Sequence, residues 1–527
     1  ARALVASAAA LLLDGAAAQQ VGHMAQESQP SMSIGVCGQS GCAPEWTKVV
    51  MDMNWRWLHN KDAYNNCLPN GADAWNVTLC PSPDACSRNC AIEGIDAKGY
   101  RETYKAATVG DDGLKLTFPK APRVYLTEPS GERYRMFQLL NREFSFEVDV
   151  STLPCGMNAA LYFVEMAADG HMGGSNGAGA KYGTGYCDAQ CPHTKLIRDR
   201  ANTEGWRTHV AKTPENVWKE VGPEGKWGIC CAEMDLFEAN REAGAFTAHP
   251  CNHPEQTVCE GDEECGNKDY GHTGWCDKDG CGFSTYRVGH EKFWGAGEEY
   301  TVDTTRPMQV ITQFISTDGT DDGDLKEIRR VYIQDGKVIK NPDASVLPSR
   351  SDAIDQPMCE EQLDLFKTPN RGFVELGGLK AMGGALKRGM VLSMSIWDDD
   401  FGRMLWLDAE RAKIDEDPKD PGVRRGPCPF EYGTDEDLQA YVKKYGPVEV
   451  TFSKLRVGEI GTTAKHVAAE AKYAVPPAAA PPATGRGAHA LLGLSSSLVA
   501  CAAVVAVLAW RRRQQEAAGE ALIGAVE

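Results

Sequence analysis

Basic charge is scarce in this 527-residue chain, where 55 Lys and Arg stand against 73 Asp and Glu for a formal net charge of −18. A phosphate-backbone partner would demand basic patches, so no nucleic acid is expected as a ligand. Helical periodicity is scarce as well. Asp437 to Lys444 is the best short candidate, and no internal repeat is visible that would signal a solenoid or propeller. The cysteines around Cys187, Cys191, Cys230 and Cys231 lack the histidine companions of a usual zinc site. An initiator Met is missing too, and the chain is expected to be a fragment or to have lost its first residues.

What is present points to a large all-β domain in an oxidising compartment. With 42% hydrophobic residues the chain can bury a sizeable core. Short runs rich in Val, Phe, Tyr and Thr alternate with Gly, Asp, Asn and Pro. The clearest strands are 144–150, 160–164, 309–314, 390–396 and 448–452. Long loops separate them, the pattern of a β-sandwich or jelly roll whose concave sheet holds a groove. Eighteen of the 19 cysteines lie between Cys37 and Cys428, and Cys501 stands alone in an apolar run. A dense, even set signals disulfides and secretion. Asn76-Val-Thr78 is a glycosylation sequon suited to that setting. Asp318, Asp321, Asp322 and Asp324 are most simply a solvated acidic loop.

The segment Trp227 to Asn240 concentrates acidic chemistry. Met234 and Leu236 alternate with Glu233 and Asp235 in the period of a strand with one buried and one groove-facing side. Glu238 breaks that phase. For it to face the same way as the other two acids, the strand needs one extra residue, a β-bulge. Carboxylates so crowded raise one another's pKa and resist full ionisation, which suits glycoside hydrolysis with one ionised and one protonated carboxyl.

Glu233-x-Asp235-x-x-Glu238 closely resembles the signature of family 7 glycoside hydrolases, the cellobiohydrolases and endoglucanases that cut cellulose with retention. The resemblance extends from about Gly35 to Gly461 and includes Asn54-Trp-Arg-Trp57, the stretches 182–191 and 247–251, and Ser395-Ile-Trp-Asp398 with Met404-Leu-Trp-Leu-Asp408. It implies a concanavalin-like sandwich, with Glu233 as nucleophile, Asp235 as its partner and Glu238 as acid/base. No metal or organic cofactor is needed for that chemistry. It also implies nine disulfides: Cys37–Cys42, Cys67–Cys90, Cys80–Cys86, Cys155–Cys428, Cys187–Cys231, Cys191–Cys230, Cys251–Cys276, Cys259–Cys265 and Cys281–Cys359.

The same resemblance implies a track of sugar-stacking tryptophans, Trp57 near the entrance, then Trp55, Trp397 and Trp406, with Trp55 and Trp57 alternating along one strand. A flat indole suits the C–H face of glucose. Asn158, Tyr162, Tyr186, Asp188 and Gln190 match positions that bind sugar hydroxyls or support the nucleophile, and His249 matches one beside the acid/base. Asp279, Arg287 and Arg425 match the product side. Two departures stand out. No arginine occupies the segment between Cys265 and Cys276, where His272 is the nearest basic residue, and Arg411 replaces a usual tyrosine.

The expected activity is hydrolysis of β-1,4-glucosidic bonds in cellulose or cello-oligosaccharides, chiefly from chain ends with cellobiose release. Alternatives are an endo-β-1,4-glucanase, a hydrolase of β-1,3 or mixed-linkage glucans, or a surface glucan-binding protein that has lost catalysis. The long loop between Cys191 and Cys230 favours an enclosed tunnel. Around this domain, 1–18 reads as a signal peptide and 19–34 as a mobile lead-in. The catalytic domain is expected over 35–461, an Ala/Pro-rich linker over 462–489, and an uncharged apolar run over 490–510, long enough to cross a bilayer as a helix. Arg511 to Arg513 then place the tail 511–527 inside and the catalytic domain outside. The expected product is a monomeric, single-pass protein of the cell surface.

Overall fold

The computed structural model describes residues 20–464, apart from 70–71, 199, 268–273 and 369. The expected signal peptide, most of the linker, the apolar run 490–510 and Cys501 lie outside the described residues. Among the described residues no helix is long and apolar enough to cross a membrane.

The chain forms the two-layer sandwich that its alternating runs call for. One layer orders the strands Val124–Thr127, Met390–Asp398, Met157–Val164, Glu233–Ala239, Gly244–His249 and Cys281–Ser284 as neighbours. The other runs through Ser31–Gly38, Glu449–Glu459, Arg142–Asp149, Met308–Ser316 and Leu325–Gln334. Gly41–Met51 pairs with Ser31–Gly38 on one side and Val124–Thr127 on the other, which joins the layers into one hydrogen-bonded network. All five expected strands are present, as is the helix, which spans Asp435–Tyr445 and is capped by Thr434 and Asp437.

Aromatic side chains weld the layers. Phe144 meets Phe163 edge to face at 5.1 Å, and Phe146 meets Phe237 at 5.6 Å. Such pairs contribute about 0.5–1.5 kcal/mol each beyond their buried area. Phe163 and Phe237 belong to the groove-bearing layer and reach inward, so this packing fixes which residues of those strands are left to face the groove.

All nine disulfides are formed with the implied partners, from Cys37–Cys42 to Cys155–Cys428. Two of them, Cys187–Cys231 and Cys191–Cys230, fasten the segment just before the Glu233–Ala239 strand to the loop at 187–191.

The domain boundaries need correction at both ends. Within the expected lead-in 19–34, the described residues 20–34 are ordered: Gln20–Val21 pairs in parallel with Ala91 and Ile92, and Ser31–Gly38 is a sheet strand. Between them Glu27 ion-pairs with the buried Arg56, and Glu93 accepts the Ala25 N–H at 3.1 Å. Side chains rather than periodicity order this stretch. At the other end the fold continues past 461, since Thr462 and Thr463 are buried and Thr463 N–H donates to Glu143 at 3.0 Å.

The acidic loop at 318–324 is partnered by protein cations. Asp321 pairs with Arg142, Asp322 with Lys387 at 2.7 Å and Asp324 with Lys380 at 3.3 Å.

Candidate active site

The Glu233–Ala239 strand carries one residue too many for its neighbour. Tyr162 faces Asp235 while the next residue back, Leu161, faces Phe237, so Leu236 has no counterpart. The same irregularity lies between Asp235 and Glu238 against Gly244–His249. Leu236 and Phe237 both turn into the core, and the phase of the strand is reset. Glu233, Asp235 and Glu238 consequently line one cavity of about 1170 Å³. The phase break at Glu238 does mark a bulge.

Each carboxyl has a defined neighbour. Glu233 Oε2 accepts from the Ala189 N–H at 3.1 Å, and Glu238 Oε1 accepts from Asn158 Nδ2 at 3.1 Å. Asp235 Oδ2 lies 3.0 Å from His249 Nε2, whose Nδ1 donates to the Asp277 carbonyl at 2.8 Å. A carbonyl only accepts, so Nδ1 carries a proton and Nε2 is left to face Asp235. Gly280 allows this arrangement. A Cβ there would sit 2.6 Å from His249 Cε1, and the backbone has the left-handed φ of +69° that favours glycine.

Burial governs the charges. It pushes the Glu238 carboxyl up to about 8, with the Asp235 charge adding to the effect. Burial, then Asp235 and Asp188, raise Glu233 well above the ordinary range. Burial also raises Asp188, against the hydrogen bond from Tyr186. For His249 burial opposes the charge, yet the hydrogen bond and charge of Asp235 hold the imidazolium well above its usual value. The site therefore retains protons near neutrality, as general acid catalysis requires.

The other expected residues mostly gather here. Trp55, Tyr162, Tyr186, Asp188, Gln190, Asp279, Arg287, Trp397, Trp406 and Arg425 line the same cavity as the acids and His249. Asn158 reaches it through Glu238. Tyr162 and Tyr186 join hydroxyls at 3.1 Å, Asp188 Oδ1 accepts the Gln190 N–H at 2.8 Å, and Gln190 Nε2 donates to the Lys278 carbonyl at 2.8 Å. On the far side Asn370 donates to Asp279 at 3.0 Å, Arg287 Nε donates to the Gly422 carbonyl at 2.7 Å, and Arg425 donates to the Val423 carbonyl at 2.6 Å.

The strand expected to be shared by Trp55 and Trp57 is not formed. Trp55 closes a 3-10 turn, Met53–Trp55, and Trp57 lies just before the short strand Leu58–Asn60, so the two share no strand. The Trp57 ring stacks on His59 at 4.0 Å and on Tyr64 at 5.9 Å, and its Nε1 donates to Asn66 at 2.6 Å. It lies outside the wall of the main cavity. Arg411 packs over the Phe430 ring at 4.8 Å, also away from that wall. His272 falls outside the described residues.

Several wall residues carried no sequence signal. Arg123 lies 3.1 Å from the centre of the Tyr186 ring, 5.5 Å from that of Trp55, and pairs with Asp52 at 2.8 Å. Lys278 donates to Asn267 at 2.6 Å, and burial lowers its pKa against the pull of Asp188. Neither sits at a telling spacing from the acids, and only the fold brings them together.

A β-sandwich whose groove collects acids on one bulged strand, with tryptophans along its length, is the architecture of a glycoside hydrolase. The glycosyl hydrolase family 7 model matches residues 21–464, and the chain belongs to that family. Solved structures agree. A family 7 cellobiohydrolase from Daphnia pulex is 42% identical, with 84% of this chain and 100% of that one covered at a TM-score of 0.76. A cellobiohydrolase from Melanocarpus albomyces, complexed with cellotetraose, is 36% identical with 84% and 99% covered at 0.74. The Humicola insolens endocellulase EGI is 35% identical with 84% and 100% covered at 0.69.

Proposed function

We propose that this enzyme hydrolyses β-1,4-glucosidic bonds of cellulose with retention, Glu233 acting as nucleophile and Glu238 as acid/base. The observation that carries the reading is the set of three carboxyls on one bulged strand inside a tryptophan-lined cavity. Glu238 protonates the glycosidic oxygen while Glu233 attacks the anomeric carbon. Glu238 then takes a proton from the water that cleaves the glycosyl-enzyme. Asp235, steadied by His249, raises the proton affinity of Glu233, and the Ala189 N–H holds the Glu233 carboxyl in place.

The local donors favour this division of labour. Glu233 accepts the Ala189 N–H, which favours its charged form against burial and the neighbouring acids. Glu238 faces Asn158, whose buried Oδ1 has no hydrogen-bond partner. Turning that amide over would let a protonated Glu238 donate to Oδ1. Product analysis on pure β-1,4, β-1,3 and mixed-linkage glucans tests the substrate. Turnover confined to β-1,3 linkages would overturn it.

Chain-end attack with cellobiose release is the mode we favour. The hairpin of Arg207–Lys212 and Trp218–Glu224 reaches the opposite rim, where the Ile414 N–H donates to the Pro214 carbonyl at 3.0 Å and Glu215 ion-pairs with Arg403. Ala412, Lys413 and Glu416 on that rim line the cavity. A bridged groove admits free ends and retains the chain between cuts.

We further propose that the 490–510 run anchors the enzyme in a membrane, with the catalytic domain outside, and that Asn76 carries a glycan. Full-length protein should stay in the pellet through carbonate washing, and its release would count against the anchor.

A further inference from the structure

Exposed apolar side chains collect at the tip of that hairpin. Val210, Val217 and Trp218 are 60%, 54% and 63% exposed, and Ile414, hydrogen-bonded to Pro214 in the turn, is 47% exposed. The strand register makes this a built face. Trp218 pairs with Lys212 and Val210 with Glu220, so the period of two puts Trp218 and Val210 on one side of the ribbon, flanked there by Lys212 and Glu220. Among the described contacts the indole meets only the Lys212 ammonium, 5.6 Å from its ring centre. None of Val210, Val217, Trp218 and Ile414 lines the substrate cavity. A cluster this exposed and this apolar marks an interaction surface.

We propose that this tip docks on the flat face of crystalline β-1,4-glucan and seats the groove beside the chain to be lifted. The proposal rests on the β-glucan reading above. Continuity with the groove selects the occupant: Ile414 follows Ala412 and Lys413 and precedes Glu416, three wall residues of the cavity, so the patch borders the place where the substrate chain runs. Its chemistry fits as well. An exposed indole with aliphatic neighbours matches the C–H face of stacked glucose rings. An anionic bilayer instead selects clusters of basic residues, whereas Lys212 and Lys219 here stand beside Glu220, and Glu215 is spent on Arg403.

The test compares the full-length wild type with Trp218→Ala and Trp218→Phe for adsorption to microcrystalline cellulose and for turnover of soluble cellotetraose. Trp218→Ala should lower the partition coefficient at least about fivefold with cellotetraose turnover unchanged, and Trp218→Phe should stay within about twofold of wild type, since a flat ring is kept. Unchanged adsorption of Trp218→Ala, with cellotetraose still cut, overturns the docking surface alone. A loss seen on phosphatidylserine vesicles and not on cellulose assigns the tip to a membrane and overturns it too, as does a wild-type dimer that Trp218→Ala dissociates. A wild type that adsorbs but leaves cellotetraose uncut overturns the β-glucan hydrolase reading instead.

Discussion

Two buried polar clusters in this domain handle charge in opposite ways. Beneath the segment 53–57 each carboxylate faces its own cation or imidazole: Glu27 with Arg56 at 2.5 Å, Asp52 with Arg123 at 2.8 Å and Glu93 with His59 at 2.9 Å. Around the bulged strand Asp188, Glu233, Asp235 and Glu238 share the imidazole of His249 and the desolvated Lys278, and Arg123, a further cation on that wall, is already paired with Asp52. Matched charges lock a segment in place, and removing one partner strands the other. Unmatched acids shift one another's proton affinity, which is the raw material of acid/base chemistry. Burial alone does not separate the two clusters. The ratio of acids to cations does.

The comparison breaks most sharply at Glu233. Glu233→Gln should cut cellotetraose turnover by about 10³-fold or more while the melting temperature holds or rises, because only the attacking charge is lost from an over-acidic site. The matched cluster should behave in reverse. Arg56→Met leaves Glu27 buried without its cation, and chemical denaturation should read a loss of about 3–5 kcal/mol. Turnover below the new melting point should be retained.

Titration sharpens the same contrast. As the proposed acid, Glu238 has to be protonated to act and is pushed up to about 8, so kcat/KM should fall as pH rises through that value. Its contribution to folding has the same sign: present in full below the ordinary 4.5 and lost as pH rises through about 8. Glu93 runs the other way. Burial would raise it, but backbone N–H groups of Ala25 and Gly94 and the His59 side chain together lower it from 4.5, so its stabilisation exists above 4.5 and is lost as pH falls through its folded value. Denaturation from pH 3 to 9 should show Glu238→Gln gaining on wild type at the alkaline end. Glu93→Gln should lose at neutrality and converge at the acid end. Parallel curves for the two variants would dissolve the distinction between the clusters.

The smallest effect is expected at the groove's rim. Arg403→Met removes the ion pair to Glu215 but leaves the Pro214–Ile414 bond, so internal cuts should rise only a few-fold. The viscosity of carboxymethyl cellulose, followed together with soluble reducing ends, reads the change. A wild type that already drops viscosity quickly with few soluble sugars is an open-cleft endoglucanase.

The catalytic strand was legible because its information is local. Alternation of Met234 and Leu236 with the acids set its faces, and the misplaced Glu238 called for a bulge that the pairing with Tyr162 displays. The resemblance supplied what spacing could not, above all the nine disulfide partners. Residues 20–34 misled because nothing periodic announces them: their order comes from Glu27 and Glu93, and the partner of Glu27 lies 29 residues away. Trp57 misled for a related reason. Adjacency to Trp55 suggested one strand, but Trp55 belongs to a 3-10 turn that ends before Trp57, whose ring stacks on His59. Arg123 and Lys278 join the site through tertiary approach alone, which no window of sequence contains.

The central claim is that Glu233 and Glu238 divide the roles of nucleophile and acid/base on one strand, and the stereochemistry of the first product tests it most directly. Proton NMR of cellotetraose hydrolysis, recorded before mutarotation, should show the β-anomer of the new reducing end appearing first. The α-anomer appearing first would mean direct attack by water and would contradict the account.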